Sequence, residues 1–379
     1  KGAAFFQDRV LQSPGNFTAA KLKWVQQHEP ELFYQVAHMM LPGDYLAAKF
    51  SGVAQTSKSG LSEAALWDFK KNALAQEVLD ALDLPYAVIP EVVANFSHQA
   101  TIAPQIAERL GLSKDVAITY RAGDQPNNAL ALNVNQPGEI ATTAGTSAVI
   151  YSVTDQDAFD TENRINTFLH VNNTEAQKRN GVLLCINGSG ILYQWLRKIL
   201  STGKDELLSY DFLNAQAAQA GPGSAGLNFY PFGNGVERIF NNKKSFSGLQ
   251  NLDFNRHGAT HMVRAACEGI VYAMNYGFEV MQHIGAGGHS VKATKANLFL
   301  SPVFREIFVN TTQTTLALYK TNGAEGAARG AAHGYGFYTS LDESAHGLVL
   351  LSTQEPQPEL KQQYTDLYQT WKNNIQIIE

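Results

Sequence analysis

Between Thr260 and Ile284 the sequence sets Ala265, Gly269, Ala273 and Gly277 at intervals of four. In a helix of 3.6 residues per turn, positions four apart stand one above the other, so these small residues build one smooth face. Glycine inside a helix costs about 1 kcal/mol relative to alanine. Two glycines on one face therefore predict a long helix over 260–284 with a neighbouring helix or strand brought close against it.

A chain of 379 residues exceeds what one ordinary core organises, so two domains are expected. With 44% apolar and 17% charged residues, the composition is that of a soluble globular protein. A net charge of −5 argues against nucleic acid or an anionic membrane as the main partner. An anionic small molecule stays open, because backbone dipoles act locally. Cys185 and Cys267 each sit in an apolar stretch with no short spacing between them, which fits core residues of a reducing compartment. No apolar run reaches the ~18 residues of a membrane span, no signal peptide is visible, and the expected location is the cytoplasm.

Along the chain, residues 16–28 read as a helix with Asn16 as its cap. Leu41-Pro42-Gly43-Asp44 reads as a turn, and Tyr45 to Phe50 as a helical stretch ended by Ser51-Gly52. Residues 60–82 read as mostly helical with Trp67 and Phe69 buried. The character changes at Ala117-Ile118-Thr119-Tyr120, a short strand leading into Gly123-Asp124-Gln125 and a helix. Glu139 to Thr143 and Ala148 to Ser152 read as two strands around a Gly-containing turn. Residues 221–238 form a structured Gly/aromatic loop. Asn297 to Ser301 reads as a strand, Arg305 to Asn310 as a helix, and 357–379 as a polar C-terminal helix.

Four constellations carry possible chemistry. Asp124, at a strand end before a helix, has the placement of a general base for a hydroxyl that attacks phosphorus, although such tripeptides are common and on this one alone a helix cap is the favoured reading. Thr142-Thr143-Ala144-Gly145-Thr146-Ser147 reads either as a phosphate-wrapping turn or as an ordinary hairpin turn. No lysine follows its glycine, which excludes a Walker A loop. Asn322-Gly323-Ala324-Glu325-Gly326-Ala327-Ala328 opens a helix whose small residues serve a nucleotide or helix packing equally well. Glu237-Arg238 is either an orienting pair or a surface ion pair. His257 and His261 lack a third ligand, so no metal site is expected.

Taken in order, these segments resemble the FGGY family of carbohydrate kinases, and within it the xylulokinase branch. The resemblance runs through Lys21-Leu22-Lys23-Trp24, Gly123-Asp124-Gln125 and Gly145-Thr146-Ser147. It continues in Phe246-Ser247-Gly248-Leu249 with Arg264-Ala265-Ala266-Cys267-Glu268-Gly269, and in Gly323 to Ala332. It implies an α/β fold of two actin-like (ribonuclease H-like) domains with a cleft between them, the first incomplete. The implied division is 1–120 for the remainder of the N-terminal, sugar-binding domain and 121–355 for the C-terminal, nucleotide-binding domain. Residues 356–379 form a C-terminal helix with the option of packing back on the first.

The resemblance also implies ATP and Mg²⁺, a small-molecule sugar, and transfer of the γ-phosphoryl group to a sugar hydroxyl, D-xylulose first among the candidates. Asp124 would be the catalytic base and border the sugar together with Gln125. Gly145, Thr146, Ser147, Gly323 and Ala324 would bind the nucleotide. Ribulose, fuculose, gluconate or glycerol as acceptor, a non-catalytic nucleotide-binding module, and a homodimer stay open. Relatives begin with a strand-turn-strand carrying Asp and a Gly-Thr pair. About a hundred residues of that kind are expected ahead of Lys1, a domain-sized segment, and the chain without them is expected to be inactive or nearly so. Where relatives carry Gly-Gly near the adenine, this chain has Ala293-Thr294-Lys295-Ala296-Asn297.

Overall fold

The computed structural model describes residues 2–13, 15, 17–288 and 290–378. Helices and strands are mixed along the chain, the expected α/β class, and the chain divides into two compact units. The first takes the chain up to Pro137, then Val153–Val182 and Thr321–Leu348; the second takes Gly138–Ser152, Leu183–Lys320 and the chain from Val349 onward.

In the first unit, the helix Thr18–His28 forms as the spacing predicts; Asn16, its expected cap, lies outside the described residues. The helix Pro42–Ser51 begins on a proline, which needs no N–H partner there, and ends at Gly52 in the left-handed region (φ 80°). The stretch 60–82, expected to be mostly helical, is helical only at its two ends. A six-residue helix, Lys58–Glu63, stops where Ala65 turns to φ 60° and the Leu66 N–H closes on Leu61 O. A short antiparallel ladder, Trp67–Asp68 with Ala73–Leu74, follows before the helix Gln76–Ala81. Tertiary burial wins over helical continuity here: Leu61, Leu66, Trp67, Val78 and Leu79 enter one apolar cluster with Val10, Leu11 and Leu169. Trp67 and Phe69 are buried as expected. The strand Gln55–Ser57 pairs in parallel with Glu91–Val93, and Ala117–Ile118 pairs antiparallel with Ala100–Thr101. The helix Asp124–Ala131 packs against Gly323–Gly334, where a Cβ on Gly326 would overlap Asn127 O.

In the second unit, the strand Ser290–Thr294 lies parallel to both Glu139–Ala144 and Thr315–Lys320. Glu139–Ala144 turns back antiparallel into Ala148–Thr154, and Val349–Gln354 closes antiparallel on Thr315–Lys320. The long helix Ala259–His283 is buried from Val263 to Met281 except at the half-buried Tyr276 and Glu279, and its small-residue face meets what the sequence demanded. A Cβ on Gly269 would overlap the Phe229 carbonyl oxygen, on the strand Asn228–Pro231; one on Gly277 would stand 2.7 Å from Leu184 Cδ2. Asn297–Leu300 is a 3-10 turn, not a strand, because the backbone enters it at Asn297 with φ 54°; the helix Pro302–Thr312 follows with Ser301 as its cap. The C-terminal helix Lys361–Asn373 packs by its aromatic side: Trp371 stacks on Tyr230 with centroids 5.2 Å apart and donates its indole N–H to Phe229 O at 3.0 Å. Under the long helix, Arg264 donates to Glu268 (3.0 Å) and to Tyr364 (2.7 Å), while Glu268 also accepts from Gly223 N and Ser224 Oγ.

Candidate active site

Asp124 is the first residue of its helix and is solvent-exposed; Gly123 stands at the cap position. The cap role that the sequence allowed is therefore not the one Asp124 fills. Its carboxylate accepts from its neighbour Gln125, through the backbone N–H at 2.8 Å and the side-chain amide at 3.2 Å. Gln125 is half-buried. Both residues belong to the first unit, where Asp124 borders a cavity of about 300 Å³ lined by Leu41, Gly43, Asp44, Ser57, Glu63 and Arg121 among others.

Three of those lining residues went unrecognised in the sequence. Arg121 is buried, and its guanidinium donates to Gln99 Oε1 (3.0 Å), Gln55 O (2.7 Å) and Gln55 Oε1 (3.3 Å), with Asp44 at 3.8 Å. Asp44 accepts from Thr56 Oγ1 (2.9 Å) and from Leu41 N (3.3 Å). Burial raises the Asp44 carboxyl, and the hydroxyl, the amide and Arg121 hold it back. A planar guanidinium that donates to the strand residue Gln55 and the loop residue Gln99, beside the helix residue Asp44, fixes the segment leading to Asp124. Glu63 lies against Gly123. Burial pushes its carboxyl up to about 7, opposed by the Gly123 N–H and reinforced by the negative charges of Asp124 and Asp44. Its Oε1 is enclosed without a hydrogen-bond partner among the described residues. Charged residues spread over some eighty positions, with no motif spacing, left no local signal for this cluster.

Gly145, Thr146 and Ser147 form the turn between paired strands in the second unit, with Ala144 opposite Ala148. Thr142 fastens one side by donating its hydroxyl to Val149 O at 2.8 Å. The turn borders a cavity of about 350 Å³, shared with Gly190, Tyr193, Asn214, Asn297 and Ser301. Tyr193 donates to Asn214 at 2.9 Å and stacks on Tyr210. Asn297 holds a left-handed backbone (φ 54°), a conformation that asparagine tolerates better than most residues with a side chain. A cavity with apolar walls, a few fixed polar groups and a hydroxyl-bearing backbone turn suits a ligand with one flat and one anionic end.

Gly323 and Ala324 lie in the first unit, with Asp124 rather than with the hairpin turn. Asn322 caps their helix, its Oδ1 accepting from the Ala324 and Glu325 N–H groups at 3.0 and 3.1 Å. A Cβ on Gly323 would stand 2.6 Å from Asn128 Oδ1. Close packing on the Asp124 helix thus accounts for the small residues Gly323 and Gly326, while Gly330 packs on Tyr120 ahead of that helix.

Cys185 and Cys267 are unpaired thiols. Among the described residues, no three His, Cys, Asp or Glu side chains gather as metal ligands, and no helix is long and apolar enough to cross a membrane.

The sequence matches two family models, the N-terminal domain of the FGGY family of carbohydrate kinases over residues 4–131 and its C-terminal domain over 140–334. It is 27% identical over 375 residues to the xylulose kinase of Bacillus subtilis (strain 168), covering 97% of this chain and 72% of that protein. It is 27% identical over 376 residues to the xylulose kinase of Lactococcus lactis, covering 94% and 70%. In fold it resembles the xylulose kinase of Rhodospirillum rubrum, with a TM-score of 0.88 at 21% identity, 98% of this chain and 74% of that one.

Proposed function

This chain belongs to the FGGY family of carbohydrate kinases, and from that premise we propose that it transfers the γ-phosphoryl group of ATP to a terminal hydroxyl of D-xylulose, giving D-xylulose 5-phosphate. Asp124 is the general base: it takes the proton of the sugar hydroxyl as that oxygen bonds to the γ-phosphorus and the bond to the ADP oxygen breaks. Gln125 borders the sugar, and Gly145, Thr146 and Ser147 hold the phosphates by backbone N–H groups and hydroxyls. The observation that carries this reading is the exposed Asp124 carboxylate on the rim of a cavity that Asp44, Glu63 and Arg121 also line, whose hydrogen bonds to Gln125 leave acceptor capacity for a substrate hydroxyl.

The chain offers no cage of three protein ligands for Mg²⁺ among its described residues. The ion fits as a partner of the nucleotide, keeping its waters and offsetting phosphate charge. The sugar assignment follows the names of the relatives and the shared family.

The test is ADP release from ATP with a panel of D-xylulose, D-ribulose, L-fuculose, gluconate and glycerol, on the full-length protein. D-xylulose should give the highest kcat/KM. Asp124→Asn should lower kcat by roughly 10²–10⁴-fold, the usual range for a lost general base, with nucleotide affinity kept. Unchanged turnover in that variant would overturn the assignment.

A further inference from the structure

Glu237 stands in the Gly/aromatic loop and is fully buried in the second unit, which sets aside the surface ion pair, one of the two readings its sequence allowed. Its two carboxylate oxygens are both engaged by backbone: Oε2 accepts from Asn187 N at 2.9 Å and Oε1 from Gly188 N at 2.8 Å. The same loop is tied twice more, Asn187 Nδ2 donating to Val236 O at 2.7 Å and Asn234 Nδ2 to Asn187 O at 3.1 Å.

Two residues further on, this loop reaches the hairpin turn. Gly190 N donates to Gly145 O at 2.8 Å, and Ile191 N to Thr146 O at 3.2 Å. There is no slack along the way. A Cβ on Gly188 would overlap the Pro231 carbonyl, and one on Gly190 would overlap Gly145 O. The loop Asn187–Gly190 is thus wedged between backbone on both sides, with Glu237 holding its first two amides.

A peptide unit is planar, with its C=O and N–H directed oppositely. Fixing Gly145 O therefore fixes the direction of the Thr146 N–H, and fixing Thr146 O fixes that of the Ser147 N–H. Both N–H groups then point away from the loop.

We propose that Glu237 is a positioning residue for phosphate binding: through the Asn187–Gly190 loop it sets the direction in which the turn Gly145–Ser147 presents its N–H donors to the phosphates of a nucleotide. The inference rests on the reading of that turn as the phosphate-holding element. A carboxylate suits the task because it alone among neutral-pH side chains offers two coplanar acceptors to two adjacent amides and has no donor. Glutamine keeps the shape but turns an NH₂ towards one of the N–H groups.

The experiment is calorimetric titration of the full-length protein with ADP and, separately, with adenosine. It compares wild type, Glu237→Gln and Asn234→Ala, with KM for ATP and for sugar measured in parallel. Asn234 is exposed and loosens the same loop from outside, so it carries the test should Glu237→Gln fail to fold. Glu237→Gln should weaken ADP about tenfold, the scale of a charge-assisted hydrogen bond, with adenosine unchanged. KM for ATP should rise without KM for sugar. Asn234→Ala should show the same pattern, several-fold smaller. If wild type binds ADP and the folded variants bind it equally well, or lose adenosine to the same degree, the inference is overturned. If wild type binds adenosine but gains nothing from the phosphates of ADP, the phosphate-turn reading itself falls, and the inference with it.

Discussion

Gly123 and Glu63 occupy one space: a Cβ on Gly123 would overlap Glu63 Oε2. The contact lies one residue before Asp124, and the Gly123 N–H also donates to that carboxylate. A side chain at 123 must push Glu63 aside or lift the start of the Asp124 helix, and Glu63 Oε1 is already enclosed. Gly123→Ala should therefore lower kcat at least tenfold and destabilise by about 1–3 kcal/mol, the usual scale of overpacking. Adding Glu63→Ala opens the space. A double-mutant cycle on kcat and on urea unfolding should show favourable coupling between the two changes. Purely additive losses would mean that the overlap is not the cause.

Glu63 also makes stability depend on pH. Its carboxyl is raised from 4.5 to about 7, by burial first and then by the charges of Asp124 and Asp44. A carboxyl raised on folding holds its proton more tightly in the native state. The stability it contributes is complete below about pH 4.5 and is lost as pH rises through about 7. The interval is worth roughly 3 kcal/mol at about 1.4 kcal/mol per pH unit. Glu63→Gln cannot ionise, so its stability relative to wild type should improve steadily between pH 5 and pH 8 in urea unfolding. A constant difference across that range would place the Glu63 carboxyl outside this window.

What could be read from the sequence was local. Gly123-Asp124-Gln125 declares a strand end meeting a helix within a few residues, and Thr142 to Ser147 declares a hairpin turn; both elements formed as expected. The surroundings of Asp124 were not legible. Asp44, Glu63 and Arg121 sit in different elements and become neighbours only through folding, while the helix that ends at Glu63 is six residues long and breaks at an alanine with positive φ. Glu237 was visible as half of an adjacent Glu–Arg pair, with nothing to say what it would hold. Its partners, the amides of Asn187 and Gly188, carry no side-chain signature and lie about fifty positions earlier.

The long helix offers a comparison between two glycines on one face. At Gly269 the obstacle to a Cβ is the Phe229 carbonyl, which belongs to a paired strand and cannot move alone; at Gly277 it is the tips of Leu184 and Ile150. Helix propensity favours alanine at both by about 1 kcal/mol. Gly277→Ala should thus change unfolding free energy by less than about 2 kcal/mol, because terminal methyl groups can swing away. Gly269→Ala should lose more than about 3 kcal/mol or fail to accumulate as folded protein. Equal effects in urea unfolding would contradict the assignment of Phe229 as the close neighbour.

Glu237 gives nucleotide binding its own pH dependence. Burial raises its carboxyl to about 7, against the pull of the Asn187 and Gly188 N–H groups. The titratable groups facing it are the Cys185 thiol, itself raised by burial and by Glu237, and the adjacent Arg238, which stays charged. As pH falls through about 7 the carboxyl gains a proton, and its new O–H meets an amide that was donating to it. The loop then loses one of its two anchors, as it does in Glu237→Gln. KM for ATP should accordingly rise between pH 8 and pH 6 more steeply in wild type than in Glu237→Gln. The variant serves as the control, because ATP itself titrates in the same range and does so identically for both proteins. Parallel slopes would show that the Glu237 proton has no hold on the turn at Gly145 and Thr146.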